Sequence, residues 1–104
     1  MKRPRLFLSN SAVADILEQA DWYRAQSGDV LEARWEKAVT STLLRIVNNA
    51  SAGAPCSFQR EDLRHVRRTA IPGFSKHLLF YKHDGTDLFV LRVLHGARDL
   101  ESFL

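Results

Sequence analysis

The sequence predicts an α+β fold in which a helical hairpin packs on one face of a mainly antiparallel four-stranded sheet, in the order β-α-α-β-β-β. Three observations lead there. Two successive segments carry apolar residues at helical spacing with Gly28 between them. The second half holds apolar runs punctuated by Pro72-Gly73 and Asp84-Gly85. The last of those runs, Asp87 to Leu94, is apolar on both faces and so belongs inside a layered structure.

Arg5 to Ser9 contains Leu6-Phe7-Leu8 and reads as a short first strand, placed to cover the free side of the last one. Asn10 or Ser11 then offers a side-chain oxygen as helix N-cap. Val13, Ile16, Leu17, Ala20 and Tyr23 follow on one helical face, and Gly28 ends the helix. Asp29 can cap the second helix, whose stripe is Leu31, Trp35, Ala38, Val39, Thr42, Leu43 and Ile46, with a stop near Asn48-Asn49. Ala50 to Asp62 lacks periodicity and reads as a loop. Neither side of it could build a core alone, so residues 1–104 are expected to form one domain.

Leu63 to Thr69 is the next strand, then a Pro-Gly turn, then a strand from Ser75 to His83. Asp84-Gly85 signals a type I′ hairpin, because both central residues of that turn need positive φ. In the return strand, alternation puts Phe89, Leu91 and Val93 on one face and Leu88, Val90 and Leu94 on the other, with Arg92 interrupting. Asp99 to Leu104 has the spacing of one more helical turn, with Leu100, Phe103 and Leu104 as its anchors to the core.

At 104 residues, 45% hydrophobic and 26% charged, the chain has the composition of a soluble globular protein. No apolar run approaches a bilayer span, and Leu6-Phe7-Leu8 is too short for a secretory core. A lone Cys56 reads as a loop residue in a reducing compartment, so the expected location is the cytoplasm. The net charge of +3 is unevenly spread. Asp15, Glu18, Asp21, Asp29, Glu32 and Glu36 fall in the helical half, while the sheet half carries Arg60, Arg64, Arg67, Arg68, Lys76, Lys82, Arg92 and Arg98. One face is thereby suited to an anionic partner.

Among the cations, alternation sets Arg64 and Arg68 on one strand face and Arg67 on the other. Arg64 and Arg68 could line an anion groove beside Arg92, or pair with the acidic helices. An arginine inside an apolar strand is rarely left unpaired, so Arg92 either projects to an open face or pairs internally, for instance with Asp99 or Glu61. His95 closes the last strand three residues from both Arg92 and Arg98. It serves either as a turn residue bonding a carbonyl or as an acid–base group. His77 is expected half-buried against the sheet, His83 exposed and idle, and His65 beside Arg67 on a contact surface. Trp35 and Phe89 fit the core, and Trp22 is the aromatic expected in solvent. No Gly-rich phosphate loop and no Cys/His metal set is present, so neither a cofactor nor a metal is expected.

The run Arg92-Val93-Leu94-His95-Gly96-Ala97-Arg98-Asp99-Leu100 resembles the closing motif of the ParE/RelE superfamily, the toxins of type II toxin–antitoxin modules. Leu63-Arg64, Pro72-Gly73-Phe74, Lys76-His77-Leu78, Phe80-Tyr81 and the early Ala14-Asp15-Ile16 with Tyr23 are spaced as in that family. The resemblance spans almost the whole chain and implies the same helical hairpin on an antiparallel sheet. The His-Gly-Ala-Arg-Asp ending is similar to sequences of the ParE or plasmid-stabilisation type. That implies growth arrest by contact with the DNA gyrase A subunit, without enzyme activity. The partner it implies is a cognate, ParD-like antitoxin, forming a hetero-oligomer through a hydrophobic groove that leaves an apolar patch on the free chain.

RelE-like relatives imply the alternative, a metal-independent mRNA endonuclease on the ribosome. Some relatives bind an antitoxin without toxicity. For a nuclease, His95 would be the acid or base, with Arg64, Arg68 and Arg92 on phosphate; under either reading Arg64, Arg68, Arg92 and Arg98 are the expected contacts to target or phosphate. The absence of a tyrosine beyond Tyr81 departs from the nuclease pattern. A pocket gathering His95 with two or more arginines would favour the nuclease, and an open groove with scattered charges the gyrase inhibitor.

Overall fold

The computed structural model describes residues 3–96 and 100–104. Its elements are β1 (Arg5–Leu8), α1 (Asn10–Ser27), α2 (Asp29–Asn48), β2 (Ala54–Pro55), β3 (Arg67–Ile71), β4 (Phe74–His83) and β5 (Asp87–His95). Short 3₁₀ turns cover Glu61–Leu63 and Leu100–Phe103. The five strands form one sheet in the order β1-β5-β4-β3-β2. β1 runs parallel to β5, and the remaining pairs are antiparallel. The class is α+β as expected, with five strands rather than four. The extra strand is β2, two residues inside the stretch that lacks any periodic signal.

The helical hairpin packs on one face of the sheet. Trp35, Val39 and Ile46 of α2 meet Ile71, Leu79, Tyr81, Leu88, Val90 and Val93 in a common buried cluster. Trp35 is fully buried, and its indole N–H donates to the Ile16 carbonyl at 3.1 Å, tying α2 to α1. Burying side chains of this size contributes about 1.5–3 kcal/mol each, so this cluster dominates the fold. The opposite face is covered by the loop before β3. Leu63, Val66 and Phe80 are buried there, with Cys56, Phe58, Leu78, Leu91, Leu94 and Leu104 against them.

Several local expectations change. The N-cap of α1 is Ser9: its hydroxyl oxygen accepts from the Ala12 N–H at 2.9 Å and the hydroxyl donates to the Leu91 carbonyl at 2.7 Å. The helix start is therefore fixed by β5 as well as by its own first turn. Gly28, at φ 80°, caps α2, and Asp29 is that helix's first residue. β3 begins at Arg67 rather than Leu63, because His65 takes a φ of 68° that no strand tolerates. Arg64 and Arg68 consequently do not share a strand face. The β4–β5 hairpin is not type I′: Gly85 has φ 92° but Asp84 is not among the positive-φ residues. The Asp84 carboxylate instead accepts from the Thr86 and Asp87 N–H groups at 2.9 and 2.6 Å.

Leu91 is an extra residue on β5, since Arg92 pairs with Phe80 while Val90 pairs with Tyr81. This bulge resets the alternation. Val93 joins Leu88 and Val90 under the helices, and Leu91 and Leu94 face the loop side, so the split predicted from strict alternation fails beyond Val90. Phe89 is not core: it is 36% exposed and stacks on Phe7, ring centroids 5.5 Å apart. In the last turn Leu104 packs as expected, while Phe103 stays 39% exposed.

Tyr81 locks the loop after α2. Its hydroxyl donates to the Ala50 carbonyl at 2.7 Å and accepts from the Gly53 N–H at 2.9 Å. A Cβ on Gly53 would lie 2.7 Å from that hydroxyl and 2.8 Å from the Arg68 carbonyl, so only glycine fits.

Candidate functional site

A cleft of about 880 Å³ opens where the second half of α1 passes the start of β4 and the end of β5. Trp22 and Tyr23 form one wall, Phe74 and Phe103 contribute apolar surface, and Asp15, Glu18, Lys76, His77, Arg92 and His95 supply the charge and imidazoles. The cleft lies just past the bulge at Leu91, where Arg92 bonds Asp15 of α1.

Arg92 is held by three hydrogen bonds to two partners. Its Nε and Nη2 donate to the two carboxylate oxygens of Asp15 at 2.7 and 2.8 Å, and its Nη1 donates to the Phe103 carbonyl at 2.8 Å. Asp15 also accepts from the Val93 N–H at 3.0 Å, satisfying a backbone donor next to the bulge. The hydrogen bond to Asp15 holds the Arg92 guanidinium above its already high ordinary pKa. Among the described residues the carboxylate partner of Arg92 is therefore Asp15, 77 positions away, rather than Glu61, while Asp99 lies outside the described residues. A bidentate fork of this kind fixes the guanidinium plane and strengthens each bond.

His95 ends β5, exposed, and pairs across the ladder with His77. His77 is half-buried as expected, its ring 5.0 Å from Trp35 and 6.4 Å from Tyr23. Burial, and secondarily the neighbouring His95, push the His77 pKa below its ordinary value, which keeps this imidazole neutral at neutral pH.

The remaining predicted residues do not join them. Arg64 is exposed just after the 3₁₀ turn, in the loop whose Leu63 and Val66 cover the other face of the sheet. Arg68 is exposed on β3 and lies against Cys56, where its charge offsets part of the rise that burial gives the thiol. Arg98 lies outside the described residues. His65 sits in the same loop as Arg64 and outside any strand, and His83 is exposed at the far end of β4, as expected. Arg67 donates to the Gly53 carbonyl at 2.7 Å.

Of the five candidates, the cleft thus gathers His95 and Arg92. Asp15, Glu18 and Lys76 complete its charge, and sequence reasoning did not assign them to it. No periodicity could have found the Asp15 contact, which depends on α1 crossing β5. Among the described residues, no group of three or more His, Cys, Asp or Glu is placed to hold a metal ion. No helix among them is long and apolar enough to cross a membrane.

Outside the cleft, α1 exposes Val13 (41%) and Leu17 (57%) one helical turn apart. α2 adds Leu44 at 56%.

The family model described as "ParE toxin of type II toxin-antitoxin system, parDE" matches residues 6–100. No curated protein matches the sequence. Among solved structures, "Chromosomal ParDE TA system from P. aeruginosa" is similar with a TM-score of 0.72 over 89% of this chain and 96% of that one. The two share 16% identity, and the likeness is one of fold.

Proposed function

The chain belongs to the ParE toxin family of type II toxin–antitoxin systems, and on that premise we propose that it arrests growth by binding the DNA gyrase A subunit, through contacts rather than catalysis. In the cytoplasm a cognate, ParD-like antitoxin holds it inactive in a hetero-oligomer.

The observation that carries this reading is the dispersal of the cations. Metal-free RNA cleavage needs an acid and a base at the scissile phosphate and cations gripping the developing charge. Beside His95 there is a single described arginine, Arg92, and three of its donors are committed to Asp15 and the Phe103 carbonyl. Arg64 and Arg68 belong to other surfaces. A nuclease on this frame would have to dismantle an ion pair before gripping a phosphate. The exposed row of Val13 and Leu17 supports the antitoxin half of the reading, because a segment that folds on binding gains most from covering such apolar surface.

The test is induction of the chain in a bacterial host, with DNA synthesis and translation followed separately, together with a supercoiling assay on purified gyrase. Early arrest of DNA synthesis with continued translation, and loss of supercoiling relieved by the antitoxin, is the expected result. Rapid translation arrest with cleaved mRNA, relieved by His95→Ala, overturns the proposal. Absence of any growth effect from a chain that still binds its antitoxin overturns it in favour of a non-toxic relative.

A further inference from the structure

The cleft contains a pair of imidazoles to which the proposed function assigns no role. His77 and His95 are direct partners on antiparallel strands. Such residues place their Cβ atoms about 4.5–5.5 Å apart on one face of the sheet. Their ring centroids are 5.5 Å apart, with the planes at 86°. Among the described residues, no side-chain hydrogen bond occupies either imidazole, and no buried ring nitrogen is left without a partner, so their free nitrogens open onto the cleft.

We propose that His77 and His95 form a two-imidazole site for a borderline divalent transition metal, Zn²⁺, Ni²⁺ or Cu²⁺, at the cleft between α1 and the β4–β5 ladder. A metal about 2.0–2.1 Å from a ligating imidazole nitrogen lies roughly 3 Å from that ring's centroid. Centroids 5.5 Å apart are therefore within reach of one ion without displacing either strand. His77 is the fixed half, wedged against Trp35 and Tyr23, while His95 is exposed and free to turn its ring.

The local charge permits a cation. Lys76 and Arg92 are matched in number by Asp15 and Glu18 around the cleft, and Arg92 is bonded directly to Asp15. Imidazole nitrogens select Zn²⁺, Ni²⁺ and Cu²⁺ over the hard cations Mg²⁺ and Ca²⁺, which favour oxygen. With no third His, Cys, Asp or Glu in place among the described residues, the other coordination positions fall to water. The site is open, unlike the closed four-ligand structural type.

The test is calorimetric titration of tag-free full chain with NiCl₂ and with ZnCl₂, in the presence of excess MgCl₂. The expected result is saturable binding of one ion per chain, unaffected by Mg²⁺. His95→Ala is the cleanest variant because that side chain is exposed, and it should weaken binding at least tenfold. His77→Gln should do the same, while His65→Ala and His83→Ala should leave binding unchanged. As a second readout, NiCl₂ should raise the Tm of the wild-type chain and not that of His95→Ala. Failure to saturate, binding unaltered by His95→Ala, or loss of binding in His83→Ala overturns the proposal. Because these are readouts of the isolated chain, they stand or fall separately from the gyrase experiment.

Discussion

Asp15→Ala removes in one step the acceptor for three donors, Arg92 Nε, Arg92 Nη2 and the Val93 N–H. The side chains of the pair are 12% and 23% exposed, which sets it between two regimes. Fully exposed pairs contribute about 0.2–1 kcal/mol, and breaking a fully buried pair costs about 3–5 kcal/mol. Val93 is buried beside the bulge, so its N–H would lose its partner where water reaches poorly, at about 1–3 kcal/mol. Arg92 keeps the Phe103 carbonyl and gains water, which returns part of the loss. The expected cost is about 2–4 kcal/mol, a fall in Tm on the order of 10–20 °C for a chain of this size. Asp15→Asn keeps one acceptor oxygen for Arg92 Nε and the Val93 N–H but loses the charge and the acceptor for Arg92 Nη2, so it should cost about half as much. Urea unfolding followed by tryptophan fluorescence measures both, and a double-mutant cycle with Arg92→Met isolates the pair. A loss below about 0.5 kcal/mol, or no coupling in the cycle, would show that Asp15 and Arg92 behave as an ordinary surface pair and refute the reasoning.

Three more predictions follow from the fold. Gly53→Ala forces a Cβ against the Tyr81 hydroxyl and the Arg68 carbonyl and should cost about 1–3 kcal/mol in urea unfolding, whereas an exposed glycine with free space would show no such steric loss. Ser9→Ala should destabilise by about 1–2 kcal/mol through loss of the cap and of the bond to Leu91, while Ser11→Ala should be near neutral; equal effects would return the cap to the position expected from sequence. The Asp87 and Thr86 N–H groups hold the Asp84 carboxyl below its ordinary value of 3.8. Its contribution is complete above that ordinary value and lost as the pH falls through the depressed one, so urea midpoints of the wild-type chain should decline below about pH 4. Asp84→Asn keeps the acceptor without the titration and should have a flatter acid limb; parallel curves would assign the acid loss to other groups.

Local pattern carried much of this structure. Trp35, Val39, Thr42 and Ile46 recur at helical spacing and all are buried, and Gly28 and Pro72-Gly73 break the chain where the sequence places them. What escaped depends on contacts between distant segments. Ser9 is a cap only because β5 presents the Leu91 carbonyl to its hydroxyl, so a reading of neighbouring residues chose Asn10 or Ser11 instead. A one-residue bulge leaves no mark in the apolar run Leu88 to Leu94, yet it exchanges the faces of Val93 and Leu94. The positive φ of His65 delays β3 and scatters the arginines that alternation had aligned. For the cleft, His95 and Arg92 were visible as unusual residues at a strand end. Asp15 was not, because a carboxylate on a polar helix face looks the same whether it meets water or an arginine 77 positions away.

The parallel pairing of β1 with β5 also sets the order in which the protein can come into being. Residues 82 positions apart meet in that ladder, and β5 lies inside the sheet between β1 and β4. A nascent chain that has emerged only as far as the β4–β5 turn carries both helices but lacks β5, the strand that joins β1 to β4. At roughly 5–20 residues per second of synthesis, the missing strand follows within about a second or two. Folding then closes the longest loop last, the slow kind of step for a small domain. A ribosome that stops short of residue 95 releases a chain whose β1 has no partner strand, so whatever needs the whole sheet arrives all at once, with the last strand.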